Sequence, residues 1–501
     1  MTKALDLFRK DFHELRDPIK GKERIKKKLS QYEKNEKEYL SFWYSLSKDN
    51  KHVHPSQGLL LTPYDYLNHH SLQMLPQEII IKTLRMRWFF LEMFNHPYRI
   101  HFLLKTNKQR FIPPPKVENS AFKNAFKSGL SLSIGDLGAG IVGSSKERVS
   151  RTERYAQGPF IKLGKQARSP FVGSSSPDVW NSSVAVATMA ACHCLAGIPR
   201  NGILTDIKRQ ADLAKEVFSL LTQLEEDLLG KREDRKVISS LWRRNVMGTL
   251  EADTEKAIRR AEELYNIGVK TFRVYSPEPG TGPIKTTKEL KKRFKDIEVV
   301  ASFIVDVDQA KRAETNGADA VIVGIGGGGR CITGVRSGSV IDWPELVWKL
   351  RGKINIPTIV EGGASDHIAV TLLLGASGIA VSRIVTGGTI ESPGGALFCS
   401  DSSGRLFKPY GGEASARMKY LEGKILPFGI PSFVEGETTK AKLSYIKEVQ
   451  PTLTYNLHLL NEDAILAMVY RNANDISDLH KINPSPLKRS TSFDLQQRNT
   501  H

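Results

Sequence analysis

The 501-residue chain predicts an α/β protein, a (β/α)8 barrel of the TIM type with an N-terminal helical extension. Three observations predict it. Short runs rich in Val, Ile and Thr alternate with helix-length segments from residue 169 onward, and regular alternation means βαβ units around a parallel sheet. About eight such units fit the region, the number that closes a barrel. Polar and Gly-rich residues follow the strands, where barrel sites are built. A doubly wound open sheet shares the alternation and is the alternative.

Residues 1–115 form a basic, mostly helical extension. Residues 6–44 are charged and helix-prone, and 76–93 form a second helix with Pro76 in its first turn, where the missing N–H costs nothing. Its packing as a cap is weighed against an arm that binds RNA, membrane or protein. The segment "FIPPPK" (111–116) is a stiff, extended connection. The barrel occupies 116–475. It opens on the Gly-rich "LSLSIGDLGAGIVG" (130–143), then "SPFVGSSS" (169–176) gives a strand, 183–195 an apolar helix, "NGILTD" (201–206) the next strand and 207–228 an amphipathic helix. Residues 229–244 are charged and read as a linker. Further strands are "VMGTLEA", "TFRVYS", "EVVASF", "DAVIVG", "PTIVEG" and "GIAVSR". Helices lie between them at 254–267, 287–294, 307–316, 343–351 and 366–374. Residues 476–501 have the composition of a disordered tail.

Net charge is +19, which favours an acidic partner: a nucleotide, a nucleic acid or an anionic surface. Much of the charge lies in "KGKERIKKKLSQYEKNEKE" (20–38), so nucleic-acid contact is an option for the extension. The N-terminus lacks a signal-peptide apolar core, and the most apolar stretch, 79–94, carries Lys82, Arg85, Arg87 and Glu92, too charged and short to span a bilayer. Four cysteines without a framework pattern suit a reducing compartment, so a cytoplasmic protein is expected. Cys192-His193-Cys194 is a poor metal pattern inside an apolar run and reads as helix packing, and no metal site is expected from it.

The organising stretch is "GADAVIVGIGGGGRCIT" (317–333). A buried strand runs into a loop without side-chain bulk, whose N–H groups can close on an anion or a planar ring. Cys331 stands at its mouth, placed as a nucleophile, with a small packed thiol as the plainer alternative. Downstream lie "IPTIVEGGAS" (356–365), "LLGASGIAVSRIV" (373–385), "GGTIESPGG" (387–395) and "KPYGGEAS" (408–415). In this order, around a Gly-rich loop with Cys-x-Thr, the chain resembles the IMP dehydrogenase/GMP reductase family from about 130 to 440, closer to the reductase branch.

The resemblance implies a purine-nucleotide oxidoreductase with a Cys-linked covalent purine intermediate and hydride transfer from NADPH. Cys331 matches the thiolate that attacks the purine. Thr333 would pass a proton, and Glu391 matches the carboxylate paired with that Thr in the reductases. Gly326, Gly328 and Gly329 belong to the Cys loop, where a monovalent cation such as K+ is implied. Glu361 would accept ribose hydroxyls, with Gly362 and Gly363 at the phosphate. Ser382 and Arg383 occupy a second phosphate turn, where Arg383 adds charge. Tyr410, Gly411 and Gly412 match the start of a mobile flap, and Glu435 the "EG" that reaches the base. Partners implied are a purine or purine-like nucleoside monophosphate and further copies of the chain, a homotetramer.

Departures fall mainly on the cofactor side. Tyr275 stands where the family has Asp facing the nicotinamide ribose, and Ser302-Phe303 where it has Gly-Asn. Glu361 replaces the usual Asp, Ser382-Arg383 the usual Gly-Ser, Gly329 a phosphate-binding Ser, and Arg330 an apolar residue. The dehydrogenases' water-activating Arg-Tyr pair has no counterpart in "MKYLEGKILPFG" (418–429). A nucleotide-binding pseudoenzyme acting as sensor or scaffold is therefore the alternative, and a flavin-dependent barrel a third.

Overall fold

The computed structural model describes residues 59–62, 65, 69–118, 150–174, 176–276, 281–324, 343–362, 364, 367–413, 415–423, 425–426, 430–431, 442–445 and 452–482, with scattered positions between 5 and 38 and Lys127. Eight parallel strands form the central sheet: β1 (Phe171–Gly173), β2 (Ala196–Ile198), β3 (Val246–Glu251), β4 (Thr271–Tyr275), β5 (Glu298–Ile304), β6 (Ala320–Val323), β7 (Thr358–Val360) and β8 (Gly378–Val381). Neighbours follow chain order from β2 to β8, and β8 pairs with β1. The Val172–Leu195 bridge joins β1 to the approach of β2 and closes the ring. An open doubly wound sheet would leave that edge unpaired, so the fold is the expected (β/α)8 barrel.

Two glycines permit the closure. A Cβ on Gly197 would stand 3.0 Å from the Gly173 carbonyl oxygen, and one on Gly173 3.0 Å from the Trp180 ring. The outer helices start where an Asp side chain satisfies open N–H groups: Asp206 caps Ile207–Leu224, Asp253 caps Thr254–Ile267 and Asp306 caps Val307–Thr315. Each such cap contributes about 1 kcal/mol. Gly268 and Gly375, both left-handed, end the helices before β4 and β8.

The N-terminal end of the barrel is plugged by polar groups. The hairpin Ile161–Leu163/Gln166–Arg168 crosses it and delivers Arg168 inward. Arg168 Nη1 and Nη2 each lie 2.8 Å from a Glu298 oxygen, and Nε donates to Asn245 Oδ1 at 2.9 Å. Both side chains of this ion pair are 1% exposed.

Several segments differ from expectation. "NGILTD" is no strand: the strand is Ala196–Ile198, and Gly202–Thr205 is a 3-10 turn entered at a Gly202 φ of 64°. Residues 229–244 are no linker, because Arg235–Arg244 is a helix that buries Ile238, Leu241 and Trp242 and turns Arg235 and Lys236 to Glu225. The helix expected at 287–294 begins at Gly282. The tail expected from 476 begins with the helix Ile476–Lys481, capped by Asp475 and anchored by buried Ile476 and Leu479. Residues 483–501, 130–143 and most of 1–58 lie outside the described residues.

The extension joins the barrel's own core. Trp88, Phe90, Leu91 and Phe94 of the helix Gln77–Phe94, and Ile100 and Leu103 of Pro97–Asn107, belong to the same hydrophobic cluster as the strands. The helix Leu453–Tyr470 lies between Gln77–Phe94 and the outer helices, which is why it is apolar on nearly every side. Ahead of these helices, Ser71–Met74 pairs antiparallel with Leu397–Ser400 and extends a sheet continued by Leu406–Tyr410 and Lys442–Tyr445. Among the described residues, no helix is long and apolar enough to cross a membrane.

Candidate active site

The strands run parallel, so the residues after β6, β7 and β8 emerge together at the C-terminal mouth. Val360 pairs with Val323 on one side and Ile379 on the other. This register puts Gly324, Glu361-Gly362 and Ser382-Arg383 side by side. Glu361 N–H donates to the Val323 carbonyl at 2.9 Å. At Gly324, φ is 110° and a Cβ would fall 2.2 Å from the Glu361 carbonyl oxygen, so only glycine fits. The chain therefore leaves β6, at Gly324, directly against Glu361. Gly326, Gly328, Gly329, Cys331 and Thr333 on that loop lie outside the described residues, as do Gly363 and Glu435.

Glu361 is already engaged. Arg273 Nη2 lies 2.5 Å from its Oε2 and Nη1 3.4 Å from Oε1, while Arg273 Nε donates to Ser302 Oγ at 3.0 Å. The guanidinium lies 4.8 Å from the Tyr275 ring centre and 5.7 Å from that of Phe303, two rings that meet edge to face at 5.3 Å. Arg200 stands 5.4 Å over Tyr275. Burial opposes the Arg273 charge, but Glu361 and Glu413 outweigh it and leave its pKa raised. Burial first, then Glu413, pushes the Tyr275 phenol well above 10, so it stays neutral. Sequence reasoning missed Arg273; the signal available was one charged residue in the inward-facing period of an apolar strand.

Ser382 turns the chain after β8, its carbonyl accepting from Val385 and Thr386 N–H, and Arg383 is half-buried beside it. Tyr410 ends the strand Leu406–Tyr410, and the flap start that follows is held on both sides. Gly411 N–H donates to Asp178 Oδ2 at 2.8 Å, and Ser176 Oγ donates to the Gly411 carbonyl at 3.0 Å. Asp178 is gripped by Arg417 Nε at 2.8 Å and Nη2 at 3.0 Å, and Arg417 also reaches Asp65 and the Leu60 carbonyl. The N-terminal segment thus extends to the barrel mouth. Asp178 was legible in principle, as an acid shortly after β1; its partners Arg417 and Asp65 were not.

Glu391 has partners that the sequence motif does not name. Its side chain is fully buried, accepting from Thr452 Oγ1 at 2.6 Å and Leu453 N–H at 3.0 Å, with Arg87 Nε at 3.5 Å. Thr452 makes no cap bond of its own, so Glu391 caps the helix Leu453–Tyr470. Thr333, the hydroxyl expected to pair with it, lies outside the described residues. Nearby, buried Lys408 donates to the carbonyls of Thr389 and Gly395 at 2.7 Å each and fixes the 389–395 turn.

Cys192, Cys194 and Cys399 are buried and unoxidised. Burial pushes Cys192 well above 9, Cys194 up to about 12 and Cys399 up to about 11. None of the three is a thiolate at neutral pH. Native alkylation at pH 7, mapped by peptide mass spectrometry, is therefore expected to modify Cys331 well ahead of the others. Equal rates at all four would show Cys331 to be a packed thiol.

The comparisons with known proteins agree with the barrel fold. The IMP dehydrogenase / GMP reductase domain model matches residues 160–501. An inosine-5'-monophosphate dehydrogenase of Nitrosopumilus maritimus is 35% identical over 164 residues, 32% of this chain and 34% of that protein. One of Cryptosporidium parvum is 30% identical over 193 residues, 36% of this chain and 48% of that protein. A GMP reductase of Streptococcus pneumoniae is 30% identical over 211 residues, 41% of this chain and 58% of that protein. The matches thus span from 34% to 58% of the length of these curated relatives.

Proposed function

The chain belongs to the IMP dehydrogenase/GMP reductase family of purine-nucleotide oxidoreductases, and from that premise we propose that it acts on a purine nucleoside 5′-monophosphate in the manner of GMP reductase, through Cys331. The observation that carries this reading is the convergence of Gly324, Glu361-Gly362 and Ser382-Arg383 at adjacent strand ends. A nucleotide laid across them has phosphate at Gly362, Gly363, Ser382 and Arg383 and ribose at Glu361. Its base lies toward Gly326, Gly328 and Gly329, under Tyr410, Gly411 and Gly412, with Glu435 reaching it.

In this reading Cys331 Sγ, as thiolate, forms a bond to purine C2. The C2 amino group leaves as ammonia, taking its proton through the Thr333 hydroxyl. Glu391 keeps the 389–395 turn in place from its buried position. On the far side Arg200 lies over the Tyr275 ring, itself packed against Phe303, and the Arg200 charge suits an anionic cofactor. NADPH, when bound there, supplies the hydride that replaces sulfur at C2. A monovalent cation at the 326–331 loop and a homotetrameric assembly belong to the same proposal.

The binding half is tested with a panel of purine nucleoside monophosphates. Arg383→Ala is expected to weaken binding by about 1.5–3 kcal/mol, the range for a hydrogen bond to a charged group. A nucleoside that binds wild type as tightly as its monophosphate would place the phosphate elsewhere.

A further inference from the structure

We propose that Arg273 is a positioning residue that sets ribose selectivity, holding the Glu361 carboxylate by its inner edge so that its outer lone pairs face the ligand's hydroxyls. The inference rests on the reading above, that a nucleoside monophosphate binds at the mouth.

The sequence places Arg273 inside the barrel. In β4, Phe272 and Val274 face the helix layer, and the alternate residues Thr271, Arg273 and Tyr275 face inward. Thr271 confirms the direction, because its hydroxyl meets Glu298 in the polar plug at 3.1 Å. Two strands separate β4 from β7, so the long side chain must cross the interior to reach Glu361. It is fixed along the way by Ser302 and by the faces of Tyr275 and Phe303. A guanidinium held on several sides has little freedom left, and whatever it grips is held in turn.

The pair is one-sided. Arg273 is 1% exposed while Glu361 keeps 21%. A pair that served only the core would be closed on both sides, as Arg168–Glu298 is at the other end of the barrel, with both partners at 1%. A carboxylate has roughly four lone-pair directions, and a fork of two N–H groups uses two. The remainder point toward the mouth, beside Gly362 and Gly324. The methylene by which Glu exceeds Asp has a use here: it lets a side chain on β7 meet the fork inside the barrel while staying at the strand end.

The test compares GMP with its 2′,3′-dideoxy form by calorimetry on wild type, Arg273→Met and Arg273→Lys. Wild type is expected to prefer the ribose form by at least about tenfold, which is ~1.4 kcal/mol. Arg273→Met is expected to bring that ratio close to one while leaving the dideoxy affinity unchanged, because the phosphate contacts lie elsewhere. Arg273→Lys keeps the charge but loses the fork, so it should restore only part of the ratio. If Arg273→Met does not fold, the drop in Arg273→Lys carries the test. A ratio that stays at the wild-type value in the folded variants would overturn the inference and make the pair structural. Tighter GMP binding in Arg273→Met would also overturn it, since Arg273 would then be a competitor for Glu361. Wild type that binds both ligands equally would overturn the inference alone, since Glu361 would then make no contact with the ribose hydroxyls; wild type that binds neither would overturn the nucleotide reading along with it.

Discussion

Cys331→Ala is expected to lower turnover by about three to six orders of magnitude, the range for loss of a nucleophile on which the mechanism depends. Its effect on nucleotide affinity is expected to be small. The residues proposed for the phosphate and ribose, Glu361, Gly362, Ser382 and Arg383, follow β7 and β8, whereas Cys331 follows β6 in the sequence. A thiol removed from beside the base takes away a bond made during reaction and little ground-state contact. The two readouts, isothermal binding of GMP and steady-state rate, should therefore separate cleanly. Retained turnover would mean that the covalent route does not operate. Lost binding together with lost turnover would point to a collapsed loop, which hydrogen exchange would reveal.

Glu298→Ala is expected to cost about 3–5 kcal/mol of stability, because it leaves Arg168 charged, buried and unpaired. Arg168 would keep only the Asn245, Leu163 and Arg244 contacts. Replacing both partners with apolar residues should cost less than the single change. The pH dependence has a definite sign. Burial pushes the Glu298 carboxyl up, but Arg168 and the Lys165 N–H pull it further down, so it lies below its ordinary 4.5 in the folded protein. Its contribution is then fully present above the unfolded carboxylate's pKa and is lost as pH falls through the lower, folded value. Urea midpoints of wild type should fall through this acid window, and those of Glu298→Ala should fall less. Equal slopes in the two proteins would show that the pair carries no stability.

How much of this was legible in the sequence varied with the physics of each element. Strands β3 to β8 announced themselves as β-branched apolar runs, because both of their faces are buried. β2 did not, since Ala196 and Gly197 are small for close packing against β1, while the more apolar Ile203 and Leu204 belong to a turn. The helix Arg235–Arg244 was hidden by its charges, which face Glu225 and solvent while Trp242 carries the packing. Around the barrel mouth, the residues singled out in the sequence were those tied to a local motif: Glu361-Gly362, Ser382-Arg383 and Tyr410-Gly411. Roles set by distant partners were not. Glu391 stood out as part of a motif, yet its contacts depend on Leu453, 62 positions on. Arg273 meets Glu361 88 positions away, and Arg417 meets Asp178 across 239. Nothing in local spacing encodes such meetings; the closure of the barrel creates them.

The central claim is that this barrel mouth performs a reductive reaction on a purine monophosphate. The most direct measurement is NADPH consumption by the wild-type protein with GMP, followed optically while ammonia is assayed in the same sample. The expected result is NADPH oxidation that requires GMP, releases one ammonia per NADPH consumed and disappears in Cys331→Ala. A protein that binds GMP, with Cys331 protected from alkylation, yet leaves NADPH unconsumed and releases no ammonia would contradict it.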